Sequence, residues 1–188
     1  MRGVVIKSTG SWYIVKTDDG ELLNCRIRGK FRIQDIKSTN PIVVGDKVLV
    51  SNEDDSFIID ELFDRKNIIV RKSVNLSKQT HILASNVDQA ILVVTMKSPQ
   101  TSTGFIDRFL VSAQAYGVDV IILFNKTDLY DQVTLALLEE RRSIYQKIGY
   151  RCLSKSTLND DLSDIKELMK DKVNVISGHS GVGKSTLL

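Results

Sequence analysis

The chain has 188 residues, of which 42% are hydrophobic and 26% are charged, and it contains two prolines. This composition predicts a globular protein with a buried core, and it excludes general disorder, collagen-like repeats and a pure coiled coil. The 26 basic and 23 acidic side chains give a formal net charge of +3, which is compatible with nucleic-acid binding but does not argue for it.

The N-terminal part of the chain predicts a small β-barrel. Short apolar runs separated by turn signals predict five strands, at residues 4–6, 12–15, 22–27, 47–51 and 56–62. Asp18, Asp19 and Gly20 are typical of a hairpin turn between the second and third strands. Five short strands without a helical period favour an oligonucleotide-binding (OB) barrel over residues 1–66, although small SH3-like barrels have a similar pattern.

A basic stripe begins in the third predicted strand. Its cations alternate with other residues and are Arg26, Arg28, Lys30 and Arg32. In an extended chain this period places all four on one face, where they can follow the phosphate backbone of a nucleic acid. The nearby aromatic residues that offer stacking surfaces for bases are Trp12, Tyr13 and Phe31. The alternative is that the stripe is a solvated outer face of a strand over core residues.

The pattern changes further along the chain. Residues 67–85 are polar and carry no strong pattern, so we predict that they form a linker. Over residues 86–188, strands at 89–95, 118–124, 150–153 and 173–177 alternate with helices at 105–116, 131–148 and 162–169. This alternation predicts right-handed crossovers and an α/β domain with a parallel sheet.

A complete phosphate-loop motif, G-x-x-x-x-G-K-[ST], follows the last of these strands, which argues against a chance glycine-rich turn. Its glycines let successive backbone N–H groups point at phosphate oxygens, and Lys184 supplies a charge for the β- and γ-phosphates. The Ser185 hydroxyl is suited to ligate Mg²⁺. We interpret His179 as a spacer rather than a catalytic group. The predicted phosphate-site residues are Gly178, His179, Ser180, Gly181, Val182, Gly183, Lys184, Ser185 and Thr186.

The sequence N-K-T-D follows a buried strand, at the end where parallel sheets bind ligands. Its residues are Asn125, Lys126, Thr127 and Asp128. The Asp128 carboxylate can accept hydrogen bonds from guanine N1–H and from the 2-amino group, which adenine lacks. Guanine O6 and N7 can accept from the Asn125 amide or from nearby backbone N–H groups, and the stem of Lys126 can cover the base. Ser154, with Lys155, is a candidate for a second base-contacting loop, whereas N-K-T-D alone also fits an Asn/Asp turn.

The order of these two motifs is informative. N-K-T-D precedes the phosphate loop by about 50 residues, whereas in GTPases of the translation-factor kind the phosphate loop comes first. We therefore interpret the domain as circularly permuted.

With these motifs in this order, the chain resembles the ribosome small-subunit-dependent GTPases, the RsgA family, also called the YjeQ/YloQ type. The resemblance is carried by R-I-R-G-K-F-R at residues 26–32, A-S-N-V-D-Q at 84–89, F-I-D-R-F-L-V at 105–111, N-K-T-D-L at 125–129 and G-H-S-G-V-G-K-S-T-L-L at 178–188. It implies an OB barrel that contacts 16S ribosomal RNA, followed by a permuted GTPase domain. It also implies GTP or GDP and Mg²⁺ as ligands, and a role in late maturation of the small (30S) ribosomal subunit, which stimulates GTP hydrolysis.

In this family, switch segments and a zinc-binding domain follow the phosphate loop. On the resemblance we expect a chain truncated just after that loop, with Zn²⁺ only in the missing domain and with little or no GTP binding or hydrolysis of its own. Two other classes stay open: a module that only binds RNA or the ribosome, and a P-loop ATPase or kinase, against which N-K-T-D argues.

The remaining composition bears on location. Cys25, Cys152, His81 and His179 are not spaced as metal ligands, and free thiols are expected in a reducing cytoplasm. The first ten residues contain no apolar run of the length that a signal peptide needs, and the apolar runs of the chain are shorter than the roughly 20 residues that a membrane span needs. We expect a soluble cytoplasmic monomer without a membrane partner.

Overall fold

A computed structural model describes residues 1–27, 41–53, 56–72 and 80–188. The chain divides into two compact units, Met1–Val87 and Asp88–Leu188. We describe each unit by itself.

The first unit contains a closed barrel of five strands. These are β1 (Arg2–Ser8), β2 (Tyr13–Thr17), β3 (Leu22–Ile27), β4 (Lys47–Glu53) and β5 (Ser56–Leu62), in the order β1-β2-β3-β5-β4. The barrel closes through antiparallel pairing of β1 with β4, and β3 pairs with β5 in parallel. Alternate side chains point inward, so that Val5, Val15 and Ile59 are fully buried. The predicted five-stranded barrel is confirmed.

The predicted linker contains two strands and needs correction. β6 (Ile68–Lys72) and β7 (Thr80–Ser85) pair as an antiparallel hairpin, which belongs to the first compact unit. Ile69 and Ile82 are buried in it, with 3% and 5% of their surface exposed. Two buried apolar positions among many polar residues are too few to give a strand signal, which is why sequence reasoning missed the hairpin.

A buried ion pair stabilises the first unit. The Asp46 side chain is fully buried, and Arg65 donates to its two carboxylate oxygens from Nε and Nη2, both at 2.7 Å. The Val43 N–H at 2.8 Å and the Ser85 hydroxyl donate to the same carboxylate. Because Ser85 ends β7 and Asp46 precedes β4, this network joins the hairpin to the barrel.

The second unit is an α/β layer structure built on a parallel sheet. Its strands are β8 (Gln89–Thr95), β9 (Asp119–Asn125), β10 (Arg151–Ser154) and β11 (Asn174–Ser177), in the order β10-β9-β8-β11. The helices are α1 (Thr103–Ala115), α2 (Gln132–Ile148), α3 (Ser163–Met169) and α4 (Lys184–Leu187). Every residue of β8 is buried, as its unbroken apolar run predicts.

The loops at the carboxyl edge of this sheet come from all four strands. Since parallel strands point the same way, the segments that follow β8, β9, β10 and β11 meet at that edge. The N-K-T-D residues and the phosphate loop lie there. None of the described helices has both the length and the apolar content to span a membrane.

Candidate functional site

Asn125 joins three loops at the carboxyl edge of the sheet. The residue ends β9 and is 1% exposed. Its Nδ2 donates to the carbonyl oxygen of Val182 in the phosphate loop at 2.8 Å, and its Oδ1 accepts from the Thr157 N–H at 2.9 Å. The structure therefore brings together the two motifs that lie apart in the sequence, with the loop after β10 as the third partner.

The position of the Asn125 amide bears on the prediction for the guanine acceptors. Sequence reasoning allowed either this amide or nearby backbone N–H groups to face O6 and N7. In the structure both polar atoms of the amide hold neighbouring loops. One N–H of the Asn125 amide is thus used within the protein, and the amide nitrogen carries a second N–H.

The rest of N-K-T-D forms a tight turn. Lys126 has a left-handed backbone, with φ of 65°, and its Nζ donates to the carbonyl oxygen of Ser98 at 2.7 Å. Thr127 and Asp128 begin a short 3-10 helix, Thr127–Leu129, and Asp128 is exposed to solvent. This conformation leaves the Asp128 carboxylate accessible at the edge of the sheet.

Tyr130 links the N-K-T-D turn to the segment after β8. This role was not predicted from the sequence. Its hydroxyl accepts from the Met96 N–H at 2.8 Å and donates to the carbonyl oxygen of Asn125. Burial is the main cause that raises the pKa of Tyr130 above its usual value, so the hydroxyl stays protonated and can donate at neutral pH. A tyrosine two residues after N-K-T-D is no recognised signal, since its role depends on the neighbouring strand β8.

The phosphate loop is anchored through Val182. This side chain is fully buried in an apolar cluster that contains Ile91, Val93, Leu123, Ile165 and Val182. Gly183 has a φ of 101°, and an added Cβ would lie closer to the Asn125 Nδ2 than the 3.0 Å that real Cβ atoms observe. The glycine is therefore required both by its backbone conformation and by the side chain that crosses it.

Among the polar residues of the phosphate loop, Lys184 bonds to the loop backbone, whereas the hydroxyl-bearing residues are exposed to solvent. The Lys184 Nζ donates to the carbonyl oxygens of Gly178 at 2.9 Å and His179 at 2.6 Å. Ser185 and Thr186 lie in the first turn of α4 and are exposed, as are Ser180 and Gly181. The ammonium group thus lies over the loop, and the Ser185 hydroxyl faces solvent.

His179 has a specific partner. Its ring lies 3.9 Å from that of Phe105 between centroids, with an angle of 37° between the planes. Phe105 belongs to the first turn of α1, and in the sequence it begins the F-I-D-R-F-L-V segment.

Ser154 ends β10, and Lys155 begins the loop that follows it. The Ser154 hydroxyl oxygen is buried and has no hydrogen-bond partner among the described residues. The Lys155 Nζ lies 3.1 Å from the Asp164 carboxylate and donates to the carbonyl oxygen of Asp161 at 3.0 Å. The Lys155 ammonium is therefore held by Asp161 and by Asp164 of α3, whereas the buried Ser154 hydroxyl lacks a partner in the described ranges.

The described part of the basic stripe is Arg26. Its guanidinium lies 4.0 Å over the ring of Trp12, which is 48% exposed. Arg28, Lys30, Arg32 and Phe31 lie outside the described residues. Tyr13 is 1% exposed inside the barrel, so its prediction as a stacking surface is wrong: the alternation of β2 turns position 13 inward together with Val15.

Acidic and metal-ligating side chains are dispersed in the described ranges. No group of three or more His, Cys, Asp or Glu side chains there could hold a metal ion. Ser185 is the described hydroxyl that the motif assigns to Mg²⁺.

Comparison with known proteins gives consistent likenesses. The model of the RsgA GTPase family matches residues 62–188, and that of the RsgA N-terminal domain matches residues 2–57. The chain is 56% identical over 190 residues to the small ribosomal subunit biogenesis GTPase RsgA of Bacteroides fragilis, and 54% identical over 196 residues to that of Flavobacterium psychrophilum. All of this chain is covered in both cases, but it spans only 61% and 59% of those relatives.

Two solved structures are similar over nearly the whole chain. YjeQ from Thermotoga maritima has a TM-score of 0.76 at 36% identity, covering 99% of this chain and 63% of that one. YloQ, described as a circularly permuted GTPase, has a TM-score of 0.70 at 35% identity, covering 100% of this chain and 62% of that one.

Proposed function

Because the chain belongs to the RsgA GTPase family, we propose that the full-length protein binds GTP or GDP at the loops of the second unit and hydrolyses GTP in the maturation of the small ribosomal subunit. The observation that carries the proposal is the hydrogen bond from Asn125 Nδ2 to the Val182 carbonyl oxygen. It holds a loop suited to guanine against a loop suited to phosphates, so that one nucleotide can reach both.

The base is recognised through the turn after β9. The exposed Asp128 carboxylate accepts from guanine N1–H and from the 2-amino group, and the aliphatic stem of Lys126 lies along the base. Ser154, the last residue of β10, enters the proposal as a second base contact on the sequence pattern. Adenine has an acceptor at N1 and no 2-amino group, so it offers the Asp128 carboxylate no donor, and an unpaired charge in a closed site is costly.

The phosphates are bound by the loop after β11. The Lys184 ammonium has three donors, two of which bond to the Gly178 and His179 carbonyl oxygens, and its remaining donor binds the β- and γ-phosphates. One exposed hydroxyl, that of Ser185, suits Mg²⁺, which takes one or two protein ligands and completes its shell with phosphate oxygens and water. The metal neutralises phosphate charge when bound.

Selectivity for guanine tests the proposal. In the full-length protein, GTP should displace a fluorescent GDP analogue on the order of 10³-fold more effectively than ATP. Asp128→Asn should reduce this preference to about tenfold or less, because the amide cannot accept both guanine donors. The measurement is the inhibition constant of each nucleotide in a fluorescence competition titration.

The matched control is Asp131→Asn. Asp131 caps α2 by accepting from the Thr134 N–H at 2.8 Å, a role that asparagine also fills. It makes the same charge change three residues away and should leave the preference for GTP unaltered. Equal displacement by ATP and GTP in the unaltered protein would favour a P-loop ATPase or kinase instead.

The barrel is proposed to contact 16S ribosomal RNA. The exposed Trp12 ring and the Arg26 guanidinium stacked on it offer a surface for an unstacked base and for phosphate. Arg28, Lys30 and Arg32 enter the proposal on sequence alone. If the protein binds the subunit but not GTP, the result would instead support the alternative that it is a module that only binds RNA or the ribosome.

Charge reversal in the stripe should weaken subunit binding. Arg28→Glu with Lys30→Glu is expected to reduce co-sedimentation of the full-length protein with the small subunit, because phosphate contacts are lost and replaced by repulsion. The control, Lys16→Glu with Lys47→Glu, makes the same charge change at exposed lysines of β2 and β4. If both pairs reduce binding equally, net charge rather than the stripe is responsible.

Three parts of the family role stay predictions. Zn²⁺ is expected only in a domain outside these residues, and the protein is expected to be a cytoplasmic monomer. That residues 1–188 alone bind GTP weakly or not at all is tested by titration with a fluorescent GTP analogue.

A further inference from the structure

The start of helix α1 lies against the phosphate loop at two points. The Phe105 ring packs on the His179 ring with their centroids 3.9 Å apart. Pro99, in the loop before the helix, lies beside Gly181, since a Cβ added to that glycine would be 3.5 Å from Pro99 Cδ. The loop therefore has side-chain neighbours on α1 as well as its anchor at Val182.

The Phe105 contact reaches the phosphate-binding lysine through one residue. His179 carries the ring that Phe105 touches, and its carbonyl oxygen accepts from the Lys184 Nζ at 2.6 Å. The backbone on either side of His179 contains glycines with positive φ, at Gly178 and Gly181. Glycine-rich backbone has many accessible conformations, so a side-chain contact at position 179 selects among them.

Phe105 itself is held firmly. Ser102 caps α1 by accepting from the Phe105 N–H at 3.3 Å. Just before it, Thr101 is 1% exposed, and its hydroxyl oxygen accepts from the Thr95 N–H at 3.1 Å. The aromatic ring is thus mounted on a segment that is bonded directly to the end of β8.

The same segment also touches the N-K-T-D turn. The Ser98 carbonyl oxygen accepts from the Lys126 Nζ at 2.7 Å, and the Met96 N–H donates to the Tyr130 hydroxyl. Residues 96–105 therefore contact both halves of the candidate site, although neither N-K-T-D nor the phosphate-loop motif includes them.

We propose that Phe105 is a positioning residue for the phosphate loop: its ring holds His179 so that the His179 carbonyl oxygen keeps the Lys184 ammonium in place for a polyphosphate. The ligand in this statement rests on the proposed function, whereas the effect on the loop conformation does not. The role is distinct from base binding, because the Phe105 ring packs on His179 of the phosphate loop.

Phe105→Ala in the full-length protein tests the proposal with two readouts. In the nucleotide-free protein, amide hydrogen exchange over residues 178–184 should become faster. The affinity for GDP should fall by about 3- to 10-fold, the usual worth of an aromatic pair, while the affinity for guanosine, which has no phosphates, should not change. Phe105→Tyr, which keeps the ring, should restore both readouts.

Phe109→Ala is the matched control. Phe109 lies one turn further along α1 and is partly buried like Phe105.

His179→Ala removes the same contact from the loop side, so the double variant with Phe105→Ala should bind GDP no more weakly than either single variant. His179→Ala also keeps the test decisive if Phe105→Ala does not fold.

The outcomes separate the two claims. The inference is overturned if Phe105→Ala leaves loop exchange unchanged, or if it weakens guanosine and GDP equally, as general damage to the fold would. If the unaltered protein does not bind GDP, the proposed function is wrong, and the exchange data still decide whether Phe105 orders the loop.

Discussion

Gly183→Ala is expected to weaken GDP binding by the full-length protein on the order of 100-fold or more. The new Cβ meets the Asn125 Nδ2, which cannot retreat because Asn125 is 1% exposed and bonded to two loops. The hydrogen bond to the Val182 carbonyl oxygen must break or the phosphate loop must move. In addition, alanine at a φ of 101° is strained. Titration with a fluorescent GDP analogue measures the loss.

Gly181→Ala separates strain from the clash. Gly181 also has a positive φ, of 79°, but its nearest neighbour for a Cβ is Pro99 Cδ at 3.5 Å, an ordinary contact. This variant should lose about tenfold in affinity from backbone strain of about 1–2 kcal/mol. Equal losses at both glycines would show that the Asn125 crossing has no part in the effect.

Arg65→Leu is expected to lower the free energy of unfolding of the barrel by about 3–5 kcal/mol. The substitution leaves the fully buried Asp46 carboxylate without its cation, and the Val43 N–H and Ser85 hydroxyl cannot neutralise the charge. Urea unfolding of the 188-residue chain measures the effect. Trp12, the single tryptophan of the sequence, lies in the barrel and reports its unfolding by fluorescence.

Two further variants identify the cause. Lys7→Leu removes an exposed cation from β1 and should change the free energy of unfolding by less than about 0.5 kcal/mol. Arg65→Leu combined with Asp46→Asn should recover part of the loss, since the charge is gone while a side-chain oxygen can still accept from Val43. A double variant that is no more stable than Arg65→Leu would contradict the role of the buried charge.

Most of the fold was predictable from local patterns. The fold class, an OB-type barrel followed by a circularly permuted GTPase fold, is confirmed by the strand order and by the likeness to YjeQ and YloQ. Alternation of period two marks the barrel strands, and unbroken apolar runs mark β8 and β9. These patterns are properties of neighbouring residues, so they can be read without the fold. The hairpin of β6 and β7 was missed because its buried positions are few.

The residues of the candidate site could be predicted from the sequence, but most of their contacts could not. Motif spacing identifies N-K-T-D and the phosphate loop, because each must form a loop of a certain length with certain donors. It does not reveal that the Asn125 amide is used to hold Val182 and Thr157, or that Phe105 packs on His179. Nor does it reveal that Arg65, in a polar stretch, pairs with Asp46 at the turn before β4.

One physical reason separates the features that the sequence predicts from the contacts that only the folded structure shows. Strands, turns and glycine-rich loops depend on interactions between residues close in sequence, so composition and spacing determine them. Hydrogen bonds such as Asn125 to Val182 and the Asp46–Arg65 ion pair join residues that the chain path brings together. Which donor meets which acceptor then depends on strand order and on how closely the loops approach. The barrel, the parallel sheet and both motifs were thus set locally, while the bonds that join the loops, and the hairpin to the barrel, required the folded chain.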